Sequence, residues 1–130
     1  GDRAFYRPTT DSITLPHMAQ FTATAEYYST AFHELTHSTG HPSRLNRLTQ
    51  NASFGSDVYS KEELCAELGA SYLVHHIGLE TTQSFQNNAA YIDHWLKVLK
   101  EDKRFLVHAA SRADKAVRLI LNEEETSDVH

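Results

Sequence analysis

Two histidines four residues apart, His33 and His37, frame Glu34 in the run His33-Glu34-Leu35-Thr36-His37. On an α-helix such residues stand one above the other, roughly 5–6 Å apart at Cβ, so two imidazoles can reach one tetrahedral ion. The run sits in helical surroundings: Ala25, Tyr28, Ala31, Phe32 and Leu35 recur at helical spacing between residues 24 and 38, and Gly40 and Pro42 mark the stop. Glu34 projects from a neighbouring direction, where a carboxylate can contact an activated water without ligating the ion. From this composition, with nine histidines, roughly 0.05 chance occurrences of the pentapeptide are expected, so it carries weight mainly through its helical context.

Two histidines leave a third ligand to find. A second helix, expected from near Ser60 to about His76 and closed by Gly78, carries Glu63 and Glu67 on one face at i, i+4. Glu63 is assigned as the ligand, with Glu67 behind it orienting a histidine through its free ring nitrogen. The reverse assignment stays open, because Ser60-x-x-Glu63 also reads as a capping box that would turn Glu63 back to the helix start and leave Glu67 as the alternative ligand. His41 is a rival, two residues short of the last histidine in the longer pattern H-E-x-x-H-x-x-G-x-x-H, where this chain has Ser43. Ala66 and Gly69 would let the two helices approach closely.

Around this pair the chain reads as one mostly helical α+β domain. Residues 3 to 6 and 12 to 15 resemble two short strands joined by a turn at Pro8-Thr9-Thr10-Asp11. Residues 40 to 59 read as an irregular connection, and 81 to 88 as a polar spacer. Ile92, Trp95, Leu96 and Leu99 form one apolar helical stripe; Phe105, Ala109, Ala113, Ala116, Val117 and Ile120 form another, with Asp102 as N-cap. The domain is taken as residues 1–122, with 123–130 as a disordered tail.

Composition narrows the function classes. Lys+Arg 12 against Asp+Glu 17 gives a net charge of −5, which argues against a nucleic-acid or membrane-surface module. The lone Cys65 excludes an internal disulfide and fits a cytoplasmic setting; its position two residues from Glu63 marks it as a small buried hydrophobe. No apolar run approaches a membrane span. Lys97, Lys100, Lys103 and Arg104 are interrupted by acids and read as a solvated face. His17, His94 and His108 read as core or surface residues, and His75 and His76 as cations closing a helix.

At this point the residues carry a family resemblance. The run from Tyr27-Tyr28 through Ala31-Phe32-His33-Glu34-Leu35-Thr36-His37-Ser38-Thr39-Gly40-His41-Pro42-Ser43-Arg44-Leu45-Asn46-Arg47, then Phe54-Gly55-Ser56, Glu62-Glu63-Leu64-Cys65-Ala66-Glu67-Leu68-Gly69-Ala70 and Tyr91-Ile92-x-x-Trp95-Leu96, resembles the C-terminal zincin-like metallopeptidase domain of ArdC-type antirestriction proteins. The resemblance spans Phe5 to about Leu121. It implies a small sheet packed on helices, Zn2+ held by the two histidines and a downstream glutamate, and an origin on a mobile genetic element or phage. The Glu-x-x-(small)-Asp arrangement of other glutamate zincins places the ligand at Glu63, although this chain has Glu67 where many of those have aspartate. It also implies that single-stranded DNA is bound only through an upstream domain absent from this chain, which, beginning Gly1-Asp2, reads as the catalytic half of a longer protein.

The expected function is therefore zinc-dependent peptide hydrolysis with Glu34 as general base. The ion would lower the pKa of its water to about 7. An extended protein or peptide substrate would add to the strand near Ile13, and Tyr59, Tyr91 or His94 would stabilise the oxyanion. The alternative is a catalytically silent, zinc-stabilised interaction module that blocks host restriction or defence proteins.

Overall fold

The computed structural model describes residues 2–48 and 56–123. Two strands, β1 (Phe5–Arg7) and β2 (Ser12–Thr14), pair antiparallel with Tyr6 opposite Ile13. Each is three residues long, shorter than the alternation predicts, because Pro8 supplies no amide and Asp11 takes a left-handed φ of 51° in the turn. Among the described residues, one 3-10 turn, Met18–Gln20, leads into four helices: α1 (Thr24–Ser38), α2 (Asp57–His76), α3 (Thr82–Val98) and α4 (Lys103–Ile120). None of the described helices is long and apolar enough to cross a membrane.

Helix α2 is the axis of the fold, packing against α1, α3 and α4. Leu64, Cys65, Ala66, Ala70, Leu73 and Val74 are buried in it, and each large aliphatic among them contributes about 1.5–3 kcal/mol. Leu64, Cys65 and Leu68 meet Leu99, Ala109 and Ala113, with Ile92, Trp95, Leu96 and Phe105 packed around them. Both predicted apolar stripes thus face one core. Gly78, at φ +77°, closes α2 where the sequence places a stop, and Leu79 N donates back to Val74 O.

Two boundaries differ from the sequence reading. Helix α2 begins at Asp57 because the Ser56 hydroxyl accepts from Tyr59 N; Ser60 lies inside the helix and is buried, so it caps nothing. The expected polar spacer at 81–88 is instead the first part of α3, capped reciprocally by Thr81 and Ser84. Asp102 caps α4 as its sequence position indicates. Residues 49–55 of the connection, and 124–130 of the expected tail, lie outside the described residues.

Candidate metal centre

His33 and His37 stack one turn apart on α1, with ring centroids 4.7 Å apart. Glu63 comes from α2, and one donor atom from each of these three residues lies within 4.8 Å of the others. Glu63 Oε2 is 2.6 Å from His37 Nε2, Glu63 Oε1 is 3.5 Å from His33 Nε2, and the two Nε2 atoms are 3.1 Å apart. The helices approach this closely because α2 presents Gly69 to Thr36 of α1.

The other nitrogen of each ring faces a different carboxylate. Glu62 Oε2 lies 2.9 Å from His37 Nδ1. Glu67 Oε1 lies 2.7 Å from His33 Nδ1, but off the N–H direction, so this pair has the distance of a hydrogen bond without its angle. With an acid behind each Nδ1, the Nε2 atoms of both rings are left to face Glu63, as proton carriers when the rings are charged and as lone pairs when they are neutral. Two imidazole lone pairs 3.1 Å apart repel unless a proton or a cation lies between them. Two imidazoles and one carboxylate are also a donor set suited to zinc, so the residues fit such an ion.

Electrostatics follow from this crowding. Burial disfavours charge on His33, yet Glu63 and Glu67 push its pKa up to about 10; burial likewise opposes charge on His37, which Glu62 and Glu63 raise to about 9. Burial works against the Glu63 anion, but the two histidines hold it down at about 2. Glu34 is 8% exposed, and burial raises its pKa, against the pull of His33, His37 and a hydrogen bond from the Tyr6 amide.

Glu62 and Arg47 had no role in the sequence reading. Arg47 donates from Nε to Glu62 Oε1 at 3.0 Å and from Nη2 to Glu62 Oε2 at 3.1 Å, a two-pronged pair. Its remaining bonds, Nη2 to Thr36 O and Nη1 to Thr39 Oγ1, both at 2.9 Å, tie it to the end of α1. The adjacent Glu62-Glu63 pair is the signal in the sequence, since neighbouring acids on one helix can face the two nitrogens of a single imidazole, as they do for His37.

Other expected contributors lie elsewhere. His41 Nδ1 is 2.8 Å from Ser43 Oγ and accepts from the Ser43 amide, so it is engaged outside the cluster. His94 packs edge-on against Trp95 and lines neither cavity beside the cluster. Cys65 is fully buried, and burial pushes its thiol up to about 12. Lys97 and Arg104 pair with Asp93 and Asp102 on the surface, as a solvated face would.

His33, Glu34 and Glu63 line two cavities at once. One, of about 460 Å³, is walled by Phe21, Tyr91 and Trp95; the other, of about 410 Å³, by Tyr59 and by Ala4, Phe5 and Tyr6 of the β1 segment. The strand bordering the cleft is therefore β1, whereas the sequence reading favoured the strand near Ile13. Ile13 lies on β2, one strand further out.

A family model described as a zincin-like metallopeptidase matches residues 1–112. The chain belongs to this zincin-like metallopeptidase family. Among curated relatives, the DNA primase TraC of Escherichia coli is 46% identical over 124 residues, covering 95% of this chain and 11% of TraC. The Mn(II)-bound crystal structure of the antirestriction ArdC protein from the R388 plasmid superposes with a TM-score of 0.73 at 42% identity, over 92% of this chain and 44% of that one. Its metal-free form gives 0.67 at 43% identity, over 95% and 45%. The chain thus spans about a tenth of TraC and less than half of ArdC. ArdC-type kinship and the zincin-like α+β fold agree with the sequence reading.

Proposed function

We propose that the chain hydrolyses peptide bonds at a zinc site formed by His33, His37 and Glu63, with Glu34 as general base. The observation that carries this is the convergence of those three donors at the junction of two cavities that Glu34 also lines. A bound zinc ion supplies a Lewis acid that acidifies water and polarises the substrate carbonyl. Glu34 accepts the proton of the attacking water and returns it to the leaving amine; a carboxyl raised by burial suits both halves of that transfer. Glu62 and Glu67 hold the rings of His37 and His33 from behind. Tyr59 and Tyr91 flank the cluster and offer hydroxyls to the developing oxyanion. An extended substrate lies beside β1.

Kinship with ArdC supports an antirestriction setting in a cytoplasmic protein carried by a mobile element, with a host protein as substrate and any contact to single-stranded DNA made elsewhere in a longer chain. The test is Glu34→Gln. It should keep about one zinc per chain and lose peptide hydrolysis by roughly 10²–10⁴. Full antirestriction protection by Glu34→Gln in cells would instead support the silent interaction module.

A further inference from the structure

Next to the metal cleft lies a trough of opposite character to the chain's net charge of −5. This cavity, of about 520 Å³, is lined by Lys61 of α2 and by His108, Arg112 and Lys115 of α4, and by no carboxylate. The three α4 residues share one helix face at i, i+4 and i+7. Lys61 Nζ sits 4.3 Å from the Phe105 ring centre on the same face. No carboxylate among the described residues lies within 4.0 Å of Lys61, Arg112 or Lys115; Glu62, next to Lys61, pairs with Arg47, Asp114 pairs with Arg118, and Asp102, which feels the Lys61 charge at longer range, pairs with Arg104. Arg112, then burial, Lys61 and Lys115 depress the His108 pKa, as converging cations must.

The trough opens into the metal cleft. Arg47, Val58 and Arg112 line both, and Arg3 extends the basic flank along the β1 segment. The other flank of the cluster presents Glu26 and Glu67 and no lysine or arginine. A cleft charged oppositely at its two ends distinguishes substrates by charge and by direction.

We infer that the trough binds acidic side chains of the protein substrate on the Arg112 side of the scissile bond. The inference rests on the peptidase reading proposed above. A peptide fits better than a nucleic acid, because three cations outside any close ion pair, Lys61, Arg112 and Lys115, are few for a phosphate track on an acidic chain.

The test is anisotropy of fluorescein-labelled decapeptide libraries, with a central fixed pair of Asp, Asn or Lys, titrated with zinc-loaded Glu34→Gln protein. The Asp library should bind about three- to tenfold tighter than the Lys library at low salt, as one or two exposed ion pairs allow, and the preference should vanish near 1 M salt. Arg112→Gln with Lys115→Gln should abolish the preference while zinc content and far-ultraviolet circular dichroism stay unchanged. Equal affinities, a preference that survives the double variant, or a labelled single-stranded oligonucleotide that binds tighter than the Asp library would each overturn it. If acidic peptides bind preferentially but the parent protein cuts none, the peptidase reading fails and the trough stands. Cleavage without charge preference gives the converse.

Discussion

Gly69 of α2 passes Thr36 of α1 so closely that a Cβ at position 69 would lie 2.6 Å from Thr36 Oγ1 and 2.7 Å from its Cγ2. Thr36 cannot swing aside freely, since its hydroxyl donates to Phe32 O at 2.7 Å and the residue is fully buried. Alanine is the better helix former by about 1 kcal/mol, but overpacking a buried contact costs about 1–3 kcal/mol. Gly69→Ala is therefore expected to lower stability by up to about 2 kcal/mol, read as a lower urea midpoint at unchanged m. Adding Thr36→Ala should restore part of it; an unchanged midpoint in the single variant would refute the close packing.

Metal affinity should rank the three glutamates. Glu63→Ala is expected to abolish stoichiometric zinc, whereas Glu62→Ala and Glu67→Ala should each weaken it about 10–100-fold, the usual range for carboxylates that hold a ligating ring. Competition with a chelating dye measures all three. Loss of stoichiometry in Glu67→Ala with retention in Glu63→Ala would exchange their roles.

Protons and metal compete for the same rings, with opposite signs. A histidine raised from 6.5 to about 10 or 9 contributes stability below pH 6.5 that is lost as pH climbs through the raised value. Glu63, lowered from 4.5 to about 2, contributes above pH 4.5 and loses its contribution as pH falls towards 2. The metal-free protein should therefore be most stable between about pH 4.5 and 6.5. Zinc binding requires neutral imidazoles, so affinity should rise with pH and calorimetry in different buffers should detect proton release at pH 7. Melting curves from pH 6.5 to 9 should fall without zinc and hold or rise with it.

Cys65 should behave as a hydrocarbon. Fully buried, with its thiol pushed up to about 12, it should not react with a disulfide reagent in the native state and should react stoichiometrically in denaturant. Rapid native-state labelling would contradict that burial.

Periodic features were the legible ones. The bounds of α1, the stripe ending at Leu99 and the Asp102 cap all follow from 3.6-residue spacing or cap chemistry. The first half of α3 escaped because its inward face is polar: Ser84 and Asn88 are buried there, and Ser29 donates to Asn88 at 3.2 Å across to α1. Arg47 and Glu62 escaped for another reason. A cation in an irregular connection meets a helix 15 residues on, and no period marks such a contact. The histidine pair was accessible because i, i+4 geometry brings chemistry and spacing together on one helix face; the same spacing offered Glu63 and Glu67 alike, and only the family resemblance favoured Glu63.

The Arg47 guanidinium bonds to the end of α1 and to Glu62 of α2, so it fastens together the two helices that carry the proposed ligands, independently of any ion. At the proposed site an arriving cation thus meets two helices whose spacing is already set, and only side chains, such as Glu63 and His37 now 2.6 Å apart, need to part to admit it. Little conformational entropy remains to be lost on capture, so affinity should depend on donor chemistry and pH more than on rearrangement of the backbone.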